Sequence, residues 1–116
     1  MSTSQFDATP LLDEYGDVAL VRELTQLFIE NAKSGMADIL AAIASSSGAA
    51  LKQAAHKLRG SLLTFNAEPA VALARELELM GERGVLDGSE GVAADLAAHI
   101  DDLCVGATSW LAEHAS

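Results

Sequence analysis

His56 stands in the middle of a cationic stretch of an acidic chain. The 116 residues carry 17 Asp and Glu against 7 Lys and Arg, a formal net charge of -10. Yet no acid occurs from Ile39 to Ala67, and Lys52, Lys57 and Arg59 all fall inside that gap. A local cationic spot on an anionic protein suits a transient anion such as phosphate. On a helix each residue advances about 100°, so Leu58 lies roughly 200° from His56. When Leu58 faces a core, His56 faces water. Lys52 comes four residues before the histidine, Arg59 three after and Gly60 four after, and these offsets share one helix face. Glycine inside a helix costs about 1 kcal/mol relative to alanine. One turn from an exposed histidine it has a use: it leaves room for an approaching partner. An exposed helical histidine is ordinarily only a surface residue. The conjunction of cations, glycine and missing acids weighs the other way.

The elements that must position this face are legible in the spacing. Thr9-Pro10-Leu11-Leu12 opens a short helix, with Thr9 expected as N-cap and Pro10 in the first turn. Asp17 is expected to cap a long helix running to about Ala44. Its apolar residues Val21, Leu24, Phe28, Ala32, Met36, Ile39 and Ile43 step by three and four, and Gly35 is a possible bend. Ser45 to Gly48 break the chain. The next segment, about Ala49 to Phe65, has one stripe of Leu51, Ala54, Ala55, Leu58, Leu62 and Phe65. A fourth begins near Pro69, turns Ala70, Leu73, Ala74, Leu77 and Met80 inward, and stops at Gly81 or Gly84. Asp87 to Glu90 resemble a capping box. The last helix aligns Val92, Leu96, Ile100, Leu103, Ala107 and Trp110. The fold class is therefore all-α. Four amphipathic helices on short loops pack as an antiparallel four-helix bundle, here with a short extra N-terminal helix. The expectation is a single domain over 1–116, with the bundle core at about 17–114.

Composition removes several functions. The acidic balance argues against nucleic acid, which requires a basic footprint, and against an anionic membrane surface. No apolar run approaches the ~18 residues of a membrane span. Met1 to Gln5 lack the order of a signal peptide. The expected location is the cytoplasm. A single cysteine, Cys104, allows no internal disulfide and no cysteine-cluster metal site; it reads as a small buried hydrophobe. His99 reads as packing or rim, His114 lies at the chain end, and neither has metal-ligand spacing to His56. No cofactor motif or metal cluster is expected.

His56-Lys57-Leu58-Arg59-Gly60-Ser61 resembles the H-x-[LI]-[KR]-G-[SA] signature of histidine-containing phosphotransfer (HPt) domains. Ala54-Ala55 before it, Phe65-Asn66-Ala67 after it and Leu77-Glu78 on the following helix fit the same family, as do chain length and helix order. The family often has Gly where Asn66 stands and commonly Lys where Arg59 stands. Asn tolerates the left-handed helix-end conformation, and Arg keeps the charge while adding a fork for phosphate oxygens. The Leu62-Leu63-Thr64 run is more apolar than the small residues often found there.

The resemblance implies a phosphoryl carrier. A receiver-domain aspartyl phosphate would present its phosphorus to the neutral Nε2 of His56, and a second receiver's aspartate would later take the group away. Imidazole is nucleophilic when neutral, and with an ordinary pKa of about 6.5 it is mostly neutral at cell pH. Arg59 is then the expected phosphate-neutralising residue, with Lys52 as helper and Gly60 for access. Glu78 is the candidate for orienting the ring through Nδ1–H, a solvated acid being the other reading; Arg75 is a weaker candidate for the same neighbourhood. Lys57, Leu63, Leu24 and Leu27, with Leu20, are candidates for docking the partner. The implied partners are response regulator receiver domains and a hybrid sensor kinase. Magnesium is expected on the receiver, none on this chain, and a monomer is expected. No ATP site is visible, so a carrier rather than a turnover enzyme is implied, and a chain starting at Met1 favours a stand-alone one. Two other readings stay open: the phosphoacceptor domain of a larger chemotaxis-type kinase, and a helical adaptor that binds receivers without accepting phosphate.

Overall fold

The computed structural model describes residues 6–115 as five helices. The reading of Met1 to Gln5 therefore lies outside the described residues. The helices are α1 (Thr9–Tyr15), α2 (Val18–Ala44), α3 (Gly48–Thr64), α4 (Glu68–Arg83) and α5 (Ser89–Glu113). Each long helix packs on its sequence neighbour, α2 also meets α5 to close the ring, and α1 lies on α2. The result is the expected four-helix bundle with a short extra helix. Its antiparallel register is visible in two contacts. Gly35 faces Leu58, and the Phe28 and Phe65 rings lie 4.9 Å apart, so numbers rise along α3 as they fall along α2.

The core follows the stripes read from spacing. Val21, Phe28, Ala32, Met36 and Ile39 of α2 are buried with Leu51, Ala55, Leu58 and Leu62 of α3, Ala74 and Leu77 of α4, and Leu96, Ile100, Leu103 and Ala107 of α5. Thr25 is buried too. Its hydroxyl donates to the Val21 carbonyl at 2.8 Å, which satisfies this buried polar group within its own helix. At one end Phe6 joins Phe28, Phe65 and Trp110 in a ring cluster.

The helix ends correct two expectations. Thr9 is not the N-cap of α1. It is the first helical residue, after Ala8, and its N–H donates to Asp7 Oδ1 at 2.9 Å. The capping box at Asp87 does not form. Gly88 holds the cap position at φ 84°, where no side chain is available to bond back, and Asp87 stays outside. Gly35 lies inside α2, and its missing side chain admits Leu58, whose Cδ1 would lie 3.1 Å from an added Cβ. Asp17 does cap α2, accepting from Leu20 N at 3.2 Å, and Asn66 adopts the left-handed conformation after α3 at φ 53°.

One close helix approach matters most for the site. A Cβ on Gly81 would lie 2.6 Å from both Gly48 O and Lys52 N, and one on Gly48 would lie 2.7 Å from Gly81 O. Two facing glycines thus bring the α3 and α4 backbones together. Gly81 is a packing residue inside α4; the helix ends three residues later at Gly84, in the left-handed conformation at φ 71°.

Candidate functional site

Leu58 is buried on α3 and His56 is exposed, as their spacing required. The His56 side chain is 65% accessible, while Glu78, which meets it from α4, is only 16% accessible. Glu78 Oε2 lies 2.9 Å from His56 Nδ1. Its other oxygen, Oε1, lies 3.0 Å from Arg59 Nε, a contact that is ionic because the Nε–H is not aimed for a hydrogen bond. Arg59 Nη2 stands 3.2 Å from the same His56 Nδ1. The three side chains therefore form one cluster, with the nearly buried carboxylate at its centre.

This geometry selects a tautomer. Nδ1 cannot donate to Glu78 and accept from Arg59 at once. A carboxylate only accepts, so a bare Nδ1 lone pair held 2.9 Å from it would be repelled. The shorter and charge-assisted contact wins: Nδ1 carries the proton and donates to Glu78. Arg59 Nη2 is then a close neighbour, not a donor to the ring. The remaining lone pair is on Nε2, on the exposed ring.

The other expected residues sit at definite places. Lys52 lies one turn before His56, and its Nζ is 3.6 Å from Glu82 Oε1 of α4. Glu82 was not read from the sequence. The available signal was its offset of four from Glu78, which puts both carboxylates on one face of α4. Gly60 borders open space: a Cβ there meets nothing within 4 Å among the described residues. Leu63 is exposed two turns beyond His56 on the same helix face. Lys57 is exposed beside the groove between α2 and α3 that Asp38, Ala42 and Ala54 line. Leu24 is partly buried against the core and Leu27 is exposed. Both belong to α2, so no shared helix face joins them to Leu63. Arg75 is exposed, His99 is half-buried, and His114 stacks on Trp110 with its Nδ1 2.9 Å from the Trp110 carbonyl. Among the described residues no group of three or more His, Cys, Asp or Glu could hold a metal ion, and no helix is long and apolar enough to cross a membrane.

The bundle thus displays an exposed imidazole on its second long helix, with Glu78 of the third against its ring. A family model described as the Hpt domain matches residues 23–106, most of the chain, and the chain belongs to that family of phosphorelay histidine phosphotransfer proteins. Such domains work with receiver domains and kinases. Among solved structures it is similar to histidine-containing phosphotransfer protein B (HptB) from Pseudomonas aeruginosa PAO1. The TM-score is 0.88 over 97% of this chain and 99% of that one, at 16% identity, a likeness of fold. A search of curated proteins finds no match.

Proposed function

We propose that His56 is the phosphoacceptor, taking a phosphoryl group from a receiver-domain aspartate or a hybrid kinase and passing it to a response regulator. One observation carries this reading: Glu78 engages Nδ1, and so leaves the lone pair on the exposed Nε2. In the forward step the Nε2 lone pair forms the P–N bond while the P–O bond to the receiver's aspartate breaks, its electron pair staying on the carboxylate. The ring becomes cationic with its proton still on Nδ1, and Glu78 lies against that proton. The carboxylate thus both sets the tautomer and stabilises the charge that develops, a division of labour known from acid–histidine pairs. The transition state is loose, so positioning and charge do most of the work. Arg59 adds positive charge beside the ring, and Gly60 leaves the approach open. Magnesium, when bound in the receiver's acidic pocket, would supply neutralising charge for the phosphoryl oxygens.

Docking falls to the exposed face around His56, with Leu63 as its apolar contact and Lys57 at the edge, and with Leu27 on the flank of α2. The net charge of -10 favours a monomer, acting in the cytoplasm.

The test is phosphotransfer from a panel of phosphorylated receivers and hybrid kinases to the wild type and to His56→Gln. The expected result is an acid-labile, base-stable label on the wild type alone. Equal label on both chains would move the acceptor elsewhere. No label on a folded wild type from any donor would leave the adaptor reading in its place.

A further inference from the structure

Both cations of the histidine face are met by acids from α4, but in two different ways. Arg59 is held by Glu78, whose two oxygens are both engaged and whose side chain is only 16% accessible. Lys52 is held by Glu82 at 3.6 Å, with the two side chains 48% and 56% accessible. The first arrangement is fixed by burial and by two partners. The second is a single long contact in water, and exposed pairs of that kind are held weakly. Lys52 is also a flexible point charge with three rotatable donors, able to change partners without moving the helix. It lies one turn from His56 on the same face. A phosphoryl group on Nε2 would bring close to two negative charges into its reach.

We propose that Glu82 is a positioning residue that holds Lys52 away from Nε2 in the unphosphorylated chain and gives it up to the phosphoryl group of phospho-His56. This rests on His56 being the acceptor. Phosphorylation then exchanges one ion pair for another: Lys52 leaves a carboxylate of charge -1 for a phosphoryl group carrying more. Glu82 thereby sets how readily the domain takes the group and how strongly it keeps it. With both acids in place the cations are neutralised at rest, and free phosphate has little to bind. The site becomes cationic toward an anion only when that anion is fixed on the ring.

The test needs no partner protein. Phosphoramidate transfers its phosphoryl group to imidazole: the new P–N bond forms at Nε2, the old one breaks, and ammonia leaves. Labelling is followed by 31P NMR on the full chain for wild type, Glu82→Gln, Lys52→Ala and the double variant, with His56→Gln as control. Circular dichroism checks that each is folded. Glu82→Gln frees Lys52, so labelling should speed up by about two- to five-fold, the scale of one exposed ion pair. The phosphoryl group should also titrate at lower pH. In the Lys52→Ala background the same substitution should change neither. At 1 M salt, where screening acts within about 3 Å, the gain should disappear. Normal labelling of His56 with the same rate and titration in wild type and Glu82→Gln overturns the proposal. So does an equal gain without Lys52. Label that survives His56→Gln, or no label on any folded variant, overturns the acceptor assignment on which it rests.

Discussion

Removing Glu78 should slow phosphorylation by changing which ring nitrogen carries the proton. In the wild type Nδ1–H donates to the carboxylate at 2.9 Å. A hydrogen bond to a charged group is worth about 1.5–3 kcal/mol net, and the exposed ring discounts this to about 1–1.5 kcal/mol. In Glu78→Ala that preference is lost. Arg59 Nη2, 3.2 Å from Nδ1, is then free to donate to a bare Nδ1, which favours the opposite tautomer by about 1 kcal/mol. The two effects add to about 2–2.5 kcal/mol, or roughly a 30- to 70-fold change in tautomer ratio at 1.36 kcal/mol per tenfold. The wrong tautomer has no lone pair at Nε2, so the labelling rate falls with it, up to that factor. Glu78→Ala/Arg59→Ala removes the competing donor, and its ratio should differ from wild type by only about 5- to 12-fold. The assay is 15N NMR of the His56 ring at alkaline pH, where imidazole is neutral, together with phosphoramidate labelling rates. A wild-type ring protonated at Nε2 refutes the reasoning. So does a Glu78→Ala chain with unchanged ring shifts and unchanged rate.

Gly81→Ala should destabilise the domain by about 1–3 kcal/mol, because the atoms its Cβ meets are backbone and cannot rotate away; thermal melts would show it at about 3–6 °C per kcal/mol. Gly60→Ala should do the reverse, raising stability by about 0.5–1 kcal/mol through helix propensity while slowing transfer from a receiver, and an unchanged melting temperature would contradict the open surroundings described. Leu63→Glu should weaken binding of a cognate receiver by about 1–2 kcal/mol in calorimetry with helicity intact; loss of helicity would place Leu63 in the core. Burial pushes the Cys104 thiol up, with Lys33 acting against it and Asp101 with it. The folded chain therefore keeps this proton at a pH where the unfolded chain has lost it, so this group's contribution to stability falls as pH rises through that window, and alkylation at pH 8 should be slow until denaturant is added.

The helices and the exposure of His56 were legible because they depend on one stripe at a time. Leu58 in the core fixes His56 outward whatever packs above it. Asp17 and Asn66 were legible because caps and left-handed turns are local. Pairing between helices is not local. That Glu82 faces Lys52, or that Gly81 faces Gly48, depends on the register of α4 against α3, which neither helix's own periodicity contains. The choice between Gly81 and Gly84 as the stop therefore stayed open, since a glycine late in a helix serves equally as an end or as a contact. Asp87 failed as a cap because its loop enters α5 through Gly88 at φ 84°, a backbone choice invisible to a four-residue pattern.

The glycine contact between α3 and α4 has one more consequence. His56, Arg59, Glu78, Lys52 and Glu82 all belong to a single helical hairpin, Gly48–Arg83. The residues proposed for the chemistry thus lie in one contiguous helical hairpin, against which α2 and α5 pack. Proteins open in such units, with free energies that differ from segment to segment. Undocking of α1, or fraying of the last turns of α5, breaks none of the contacts around His56. The domain can therefore loosen at its aromatic end, exchanging amide protons there, while the hairpin that carries His56 stays closed.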